Sequence, residues 1–225
     1  MRAAAFANIR AVLFDLDGTL IDSAPDLGHA VDSMRTARGL PSLPQDVYRP
    51  MAGMGARGML NAAFDITPEH PDFNALREEF FSNYERCIHE RTQPFGHVPQ
   101  IVDALNRQRL RWGVVTNKTQ RFAFPIVTRM AWFHSAGTII CGDTTAYAKP
   151  HPAPLLEAAA RIGIDASQCV YVGDDERDII AGRAAGMKTI AALYGYLGPG
   201  ATPRQWGADA LIENPRDLLK LLGLH

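Results

Sequence analysis

Five short apolar runs, each closed by turn residues, recur along this chain and confine it to an alternation of strands and helices. They are Ala11–Phe14, Trp112–Val115, Gly137–Ile140, Cys169–Val172 and Lys188–Leu193. A continuous apolar run bounded by turns predicts a strand buried on both faces, as in a parallel sheet. Between the runs, helical patterns span Val98 to Arg109, Arg121 to Met130, Ala153 to Ile162 and Arg177 to Ala185, and a short closing helix is expected from Pro215 onward. The expected fold class is therefore α/β, a doubly wound parallel sheet.

Residues 23–92 read differently. Helical patterns over Asp26 to Arg38, Ala56 to Phe64 and Phe73 to Arg91 are punctuated by Pro41, Pro44, Pro50, Gly53, Gly55, Pro68 and Pro71, and no strand pattern intervenes. The expected division is a core of residues 1–22 and 93–225 with an inserted all-helical cap of residues 23–92. Insertion at the C-terminal end of the first strand would bring that cap over the strand ends, where open α/β sheets form their sites.

Composition narrows the partners. With 225 residues, 47% of them hydrophobic, the chain can bury a sizeable core. Its formal net charge is −1, from 23 basic and 24 acidic residues. No basic excess is present to draw in nucleic acid or an anionic membrane. An anionic ligand must be attracted locally, by a metal ion or a few placed cations. No run approaches the roughly 20 apolar residues of a membrane span. Cys87, Cys141 and Cys169 lack any paired spacing, which fits a reducing compartment and a cytoplasmic protein. The seven histidines show no metal-ligand spacing. Composition does not set an oligomeric state.

The first run opens into Asp15-Leu-Asp17-Gly18-Thr19. Where the chain turns past a strand end, both carboxylates can face one pocket. Two like charges that close call for a cation or a shared proton. A hard ion such as Mg²⁺ takes oxygen ligands and leaves room for phosphate. Gly18 permits the tight turn, and backbone N–H groups at Gly18 and Thr19 can hold phosphate oxygens. Three further strand ends match this chemistry. Thr116 and Asn117 offer a hydroxyl and an amide, Lys149 offers a positive charge, and Asp174 with Asp175 and Asp178 offers a carboxylate-rich metal shell.

Taken together, Asp15-Leu-Asp-Gly-Thr19, Val115-Thr116-Asn117, Lys149-Pro150 and Gly173-Asp174-Asp-Glu-Arg-Asp178 resemble the four motifs of the haloacid dehalogenase superfamily of phosphatases, over essentially the whole chain. The resemblance implies Asp15 as nucleophile, forming an aspartyl-phosphate, and Asp17 as general acid and base that also lends its carbonyl to Mg²⁺. It implies that Thr116 and Lys149 hold the phosphoryl group, that Asp174 binds the metal directly and that Asp178 acts through water. Asp17 sets the chain apart from true dehalogenases, whose first motif lacks the second acidic residue.

The helical insert is similar to that of phosphoglycolate phosphatases and β-phosphoglucomutases. The narrower likeness is to the phosphoglycolate phosphatase group and its branch acting on N-acetylmuramic acid 6-phosphate. It rests on Trp112 to Lys118 with Arg121, Phe122 and Pro125, on Gly55-Ala-Arg57, and on Tyr194-Gly-Tyr196 with Trp206 to Asp209. Both substrates carry a carboxylate beside the phosphate. Arg57 is the expected partner of that carboxylate, and Lys118 and Arg49 are further cationic candidates. Tyr194, Tyr196 and Trp206 either line a sugar-sized pocket or pack a loop. Two rivals share these motifs: a mutase that returns phosphate to the sugar, and a non-catalytic binding module on the same fold.

Overall fold

A computed structural model describes residues 6–224. The strands are β1 (Ala11–Phe14), β2 (Ile21–Asp22), β3 (Gln93–Pro94), β4 (Arg111–Val115), β5 (Ile139–Ile140), β6 (Cys169–Gly173), β7 (Lys188–Ala192) and β8 (Ala210–Ile212). The helices are α1 (Ala24–Ala37), α2 (Gln45–Tyr48), α3 (Gly55–Phe64), α4 (Phe73–Cys87), α5 (Val98–Arg107), α6 (Gln120–Val127), α7 (Ala153–Ile162), α8 (Glu176–Ala184) and α9 (Asp217–Leu221). Among the described residues no helix is long and apolar enough to cross a membrane.

Six strands form one parallel sheet in the order β5-β4-β1-β6-β7-β8. Each strand of the expected five is present, and both faces are covered. One face sets Leu13, Val115 and Tyr171 against Leu155 and Ala158 of α7 and Ala181 of α8. The other sets Phe14, Val172 and Ile212 against Val98, Ile101 and Val102 of α5 and Leu218 of α9. Burial of this kind stabilises by about 1.5–3 kcal/mol for each large apolar side chain. The α/β doubly wound expectation holds.

The chain divides into two compact units. Among the described residues, one contains 6–21, 94–195 and 202–224, and carries the sheet. The other contains residues 22–93 and 196–201, and is helical. In the helical unit α1 packs on α4 and α3. Tyr196 is fastened there, because its hydroxyl accepts from the backbone N–H groups of Ser23 and Ala24 at 2.6 and 3.0 Å. It thus caps the first turn of α1, where Ser23 supplies no side-chain cap.

Helix ends differ from expectation for local reasons. The helix expected to reach Arg91 stops at Cys87, since Ile88 turns extended and His89 adopts φ 65°. The strand expected from Gly137 is only Ile139–Ile140. Strand β8, absent from the expected set, is an apolar run of only three residues, Ala210–Ile212, too short to stand out as a strand in the sequence.

Candidate active site

Register brings the site together. Phe14, the last residue of β1, lies beside Val114 of β4 and Val172 of β6. Asp15 is the next residue, and its N–H donates to the Val172 carbonyl at 2.9 Å. Thr116 follows β4 and Asp174 follows β6. Parallel strands end on the same edge of a sheet, so motifs far apart in the chain become neighbours.

The Asp15 carboxylate sits 2.8 Å from the Lys149 ammonium. Burial, helped by the Asp178 and Asp17 carboxylates, pushes its pKa up to about 7 although Lys149 pulls it down. Lys149 is itself 5% exposed. Burial works against its charge, but Asp15 and Asp178 outweigh that and hold the ammonium above its usual pKa. Its other oxygen neighbours are Asp178 Oδ1 at 2.7 Å, Tyr171 Oη at 2.8 Å and the Val115 carbonyl at 3.0 Å. Asp178 lies in the first turn of α8, and its second oxygen accepts from the Asp175 N–H in a capping box. Asp175 keeps a pKa below the usual carboxylate range, because bonds from Arg177 overcome the effect of burial.

Asp174 is placed by two glycines and a threonine. A Cβ on Gly18, where φ is +86°, would stand 2.1 Å from Asp174 Oδ2, and one on Gly195 would stand 2.2 Å from Asp174 Cβ. Thr19 Oγ1 donates to Asp174 Oδ1 at 2.8 Å. Tyr194 closes this side, its hydroxyl donating to the Thr19 carbonyl and its ring packing edge-on against Phe95.

Several residues expected at the phosphate are bonded to other groups of the protein. The Gly18 N–H donates to the Ile21 carbonyl, which closes the turn and removes that N–H from ligand binding. Thr19 is fully buried and holds Asp174. The Asn117 amide is committed at both ends to the Lys149 backbone, donating to its carbonyl and accepting from its N–H, each at 2.9 Å. Lys118 pairs with Asp17, its Nζ 3.0 and 3.1 Å from the two carboxylate oxygens. The Thr116 hydroxyl accepts from the Lys118 N–H at 3.1 Å and keeps its own proton to donate. Arg57 is an exposed side chain on α3 of the helical unit. Arg49, in the same unit, pairs with Asp22 at 2.7 Å and lies over the Tyr196 ring.

Tyr171 is the polar neighbour that the sequence reading passed over. The available signal was a tyrosine inside an otherwise apolar buried run, since a buried hydroxyl needs a partner.

The residues fit a divalent cation. Ligand oxygens of Asp15, Asp174 and Asp178 lie within 4.8 Å of one another. With Asp17 there are four carboxylates against the two ammonium groups of Lys118 and Lys149, a formal charge of −4 + 2 = −2. An all-oxygen donor set of that charge suits a hard ion such as Mg²⁺.

Comparison with known proteins shows the family. The family model described as haloacid dehalogenase-like hydrolase matches residues 12–192. The chain is 42% identical over 214 residues to an N-acetylmuramic acid 6-phosphate phosphatase of Pseudomonas aeruginosa, covering 95% of each chain. It is 47% identical over 212 residues to a phosphoglycolate phosphatase of Xanthomonas campestris, covering 93% of this chain and 94% of that one. The crystal structure of a predicted phosphoglycolate phosphatase from Haemophilus somnus superposes with a TM-score of 0.83 at 27% identity, over 95% of this chain and 98% of that one. The chain belongs to the haloacid dehalogenase-like hydrolase family, as a phosphoric monoester hydrolase.

Proposed function

We propose that this chain hydrolyses a small phosphomonoester that also bears a carboxylate, of the phosphoglycolate or N-acetylmuramic acid 6-phosphate kind, through a phosphorylated Asp15 and with Mg²⁺ as cofactor. The observation that carries the reading is the partly buried Asp15 carboxylate just past the end of β1, paired with Lys149 and grouped with Asp174 and Asp178. The two kinds of relative support the substrate class.

Asp15, Asp174, Asp178 and the Asp17 carbonyl are the groups that would hold the metal. When bound, the ion offsets charge on the phosphoryl oxygens. The other steps belong to the chain. An Asp15 oxygen attacks phosphorus, the phosphorus–oxygen bond to the alcohol breaks, and Asp17 gives its proton to the leaving alkoxide. Water then attacks the phosphorylated Asp15, Asp17 takes the water's proton, and inorganic phosphate leaves. Lys149, and the Thr116 hydroxyl, offset the charge that brings one anion against another. Asn117 holds the Lys149 backbone in place for this task. The assignment of Arg57 to the substrate carboxylate rests on the sequence, and Arg57→Ala tests it through the KM for each substrate.

The deciding measurement is phosphate release with Mg²⁺ from phosphoglycolate, N-acetylmuramic acid 6-phosphate and β-glucose 1-phosphate, for wild type and Asp15→Asn. Release favouring one acidic substrate about tenfold, as one or two extra matched contacts provide, and lost in the variant, is the expected outcome. Equal release from wild type and variant, or none from either, would sink the reading.

A further inference from the structure

Tyr171 stands in the middle of β6 with its ring wholly buried among Leu13, Val115, Leu155 and Ala181. Only its hydroxyl reaches the site. That oxygen donates to the Val115 carbonyl at 2.7 Å and accepts from Lys149 Nζ at 2.8 Å, with Asp178 Oδ1 farther off at 3.3 Å. A phenol has one proton, and the short carbonyl contact takes it. The lone pairs are then turned toward Lys149. Burial, with the Asp178 and Asp15 carboxylates nearby, raises the Tyr171 pKa well above its usual value, so the hydroxyl stays protonated.

Around Lys149 Nζ four oxygens compete for three protons, and the Val115 carbonyl at 3.0 Å is the most distant. Asp15 and Asp178 hold the ammonium by charged hydrogen bonds. A lysine carries a point charge on a flexible four-carbon stem. The neutral phenol, anchored to the last carbonyl of β4, adds a hydrogen-bonded tie from the sheet itself.

We propose that Tyr171 is a positioning residue, whose hydroxyl ties the Lys149 ammonium to the end of β4 and so aims it at Asp15 and at the group transferred there. The inference rests on the roles of Asp15 and Lys149 proposed above. It concerns the step that Lys149 serves, not the binding of the rest of the substrate.

Two measurements test it. In Tyr171→Phe the ring packing is kept, and kcat for Mg²⁺-dependent hydrolysis falls about tenfold with KM within about twofold, the effect of losing one hydrogen bond to a charged group. A variant with wild-type kcat overturns the proposal. Independently of activity, metal-free protein labelled with ¹⁵N-lysine gives a protected Lys149 ammonium signal, assigned by its loss in Lys149→Met. In Tyr171→Phe that signal moves and exchanges faster with water. A Lys149 signal in wild type that exchanges as fast as surface lysines overturns the proposal even if the variant fails to fold. Wild-type protein releasing no phosphate would instead refute the phosphatase mechanism, while the ammonium signal still reports whether Tyr171 holds Lys149.

Discussion

The Lys118 ammonium grips both oxygens of the Asp17 carboxylate, with side chains only 9% and 16% exposed. An ion pair this sheltered fixes the rotamer of the carboxyl group that the proposed mechanism uses to protonate the leaving group. Lys118→Met removes that hold and leaves Asp15 and Lys149 untouched. The loss should therefore depend on the leaving group. An alkyl phosphate, whose alkoxide must be protonated, should lose roughly 10²-fold in kcat, the lower range for general acid catalysis. Nitrophenyl phosphate, whose leaving group departs unprotonated, should lose much less. Equal losses for the two would show that Lys118 serves the phosphoryl group and not Asp17.

The Asp15 carboxyl gives a pH signature to the metal-free protein. Its folded pKa of about 7 lies above the ordinary 3.8. The folded state therefore holds a proton that the unfolded chain has released, and between these values stability falls as pH rises. Below about pH 4 both states are protonated and the penalty is absent. Above about pH 7 it is complete. Asp15→Asn carries no such penalty and leaves Lys149 paired with Asp178. Melting of metal-free protein should place the variant above wild type at pH 8, with the gap closing by pH 4. Added Mg²⁺ should raise the wild-type Tm more at pH 8 than at pH 5.5. A Tm gap independent of pH would refute the assignment of this proton to Asp15.

Much of the core was legible because buried parallel strands announce themselves as apolar runs, and because such strands end on one edge. That is why Asp15, Thr116 and Asp174 can be gathered from their strand ends. Lys149, expected at a strand end, stands nine residues beyond β5 in the loop before α7. What lay hidden was which polar group meets which. Asn117 and Thr19 have the right chemistry for phosphate, yet their side chains are bonded to Lys149 and Asp174. A linear sequence gives residue types and spacing but not the direction of a side chain at a turn. Strand β8, three residues at the sheet edge, is too short an apolar run to stand out, and its pairing with β7 is what defines it. The partnership of Tyr196 with Ser23 and Ala24 spans too many residues for any local pattern to reveal.

In the helical unit Asp26 is a polar anchor. Its side chain is fully buried and accepts from the N–H groups of Arg91 and Thr92, each at 2.9 Å, and from the Thr92 hydroxyl at 2.6 Å. This ties the first turn of α1 to the segment that follows α4. Asp26→Asn keeps the shape but turns an N–H₂ toward donors. An unsatisfied buried group costs about 1–3 kcal/mol, and more where a charged partner is lost. Unfolding in urea should show a loss of about 3 kcal/mol, and hydrogen exchange should quicken in α1 and α4 before it does in the central strands. A change under about 0.5 kcal/mol, typical of exposed surface sites, would contradict this anchoring role.

The glycines beside Asp174 allow metal binding to be separated from chemistry. Gly195 lies outside the left-handed region of backbone space, so an alanine there meets no conformational penalty of its own. Its Cβ would nevertheless fall 2.2 Å from Asp174 Cβ and 2.4 Å from Asp174 Oδ2. Since Thr19 holds the other oxygen of Asp174, the carboxylate cannot swing aside without breaking that bond. Gly195→Ala should therefore weaken Mg²⁺ binding by about 10–100-fold, the usual effect of disturbing a ligand's support. Calorimetric titration of the metal measures this directly, and saturating Mg²⁺ should restore most of kcat, because Asp15, Asp17 and Lys149 are unmoved. Unchanged Mg²⁺ affinity in this variant would remove Asp174 from the metal shell. Unrecovered kcat at saturating metal would assign Asp174 a part in the chemical step as well.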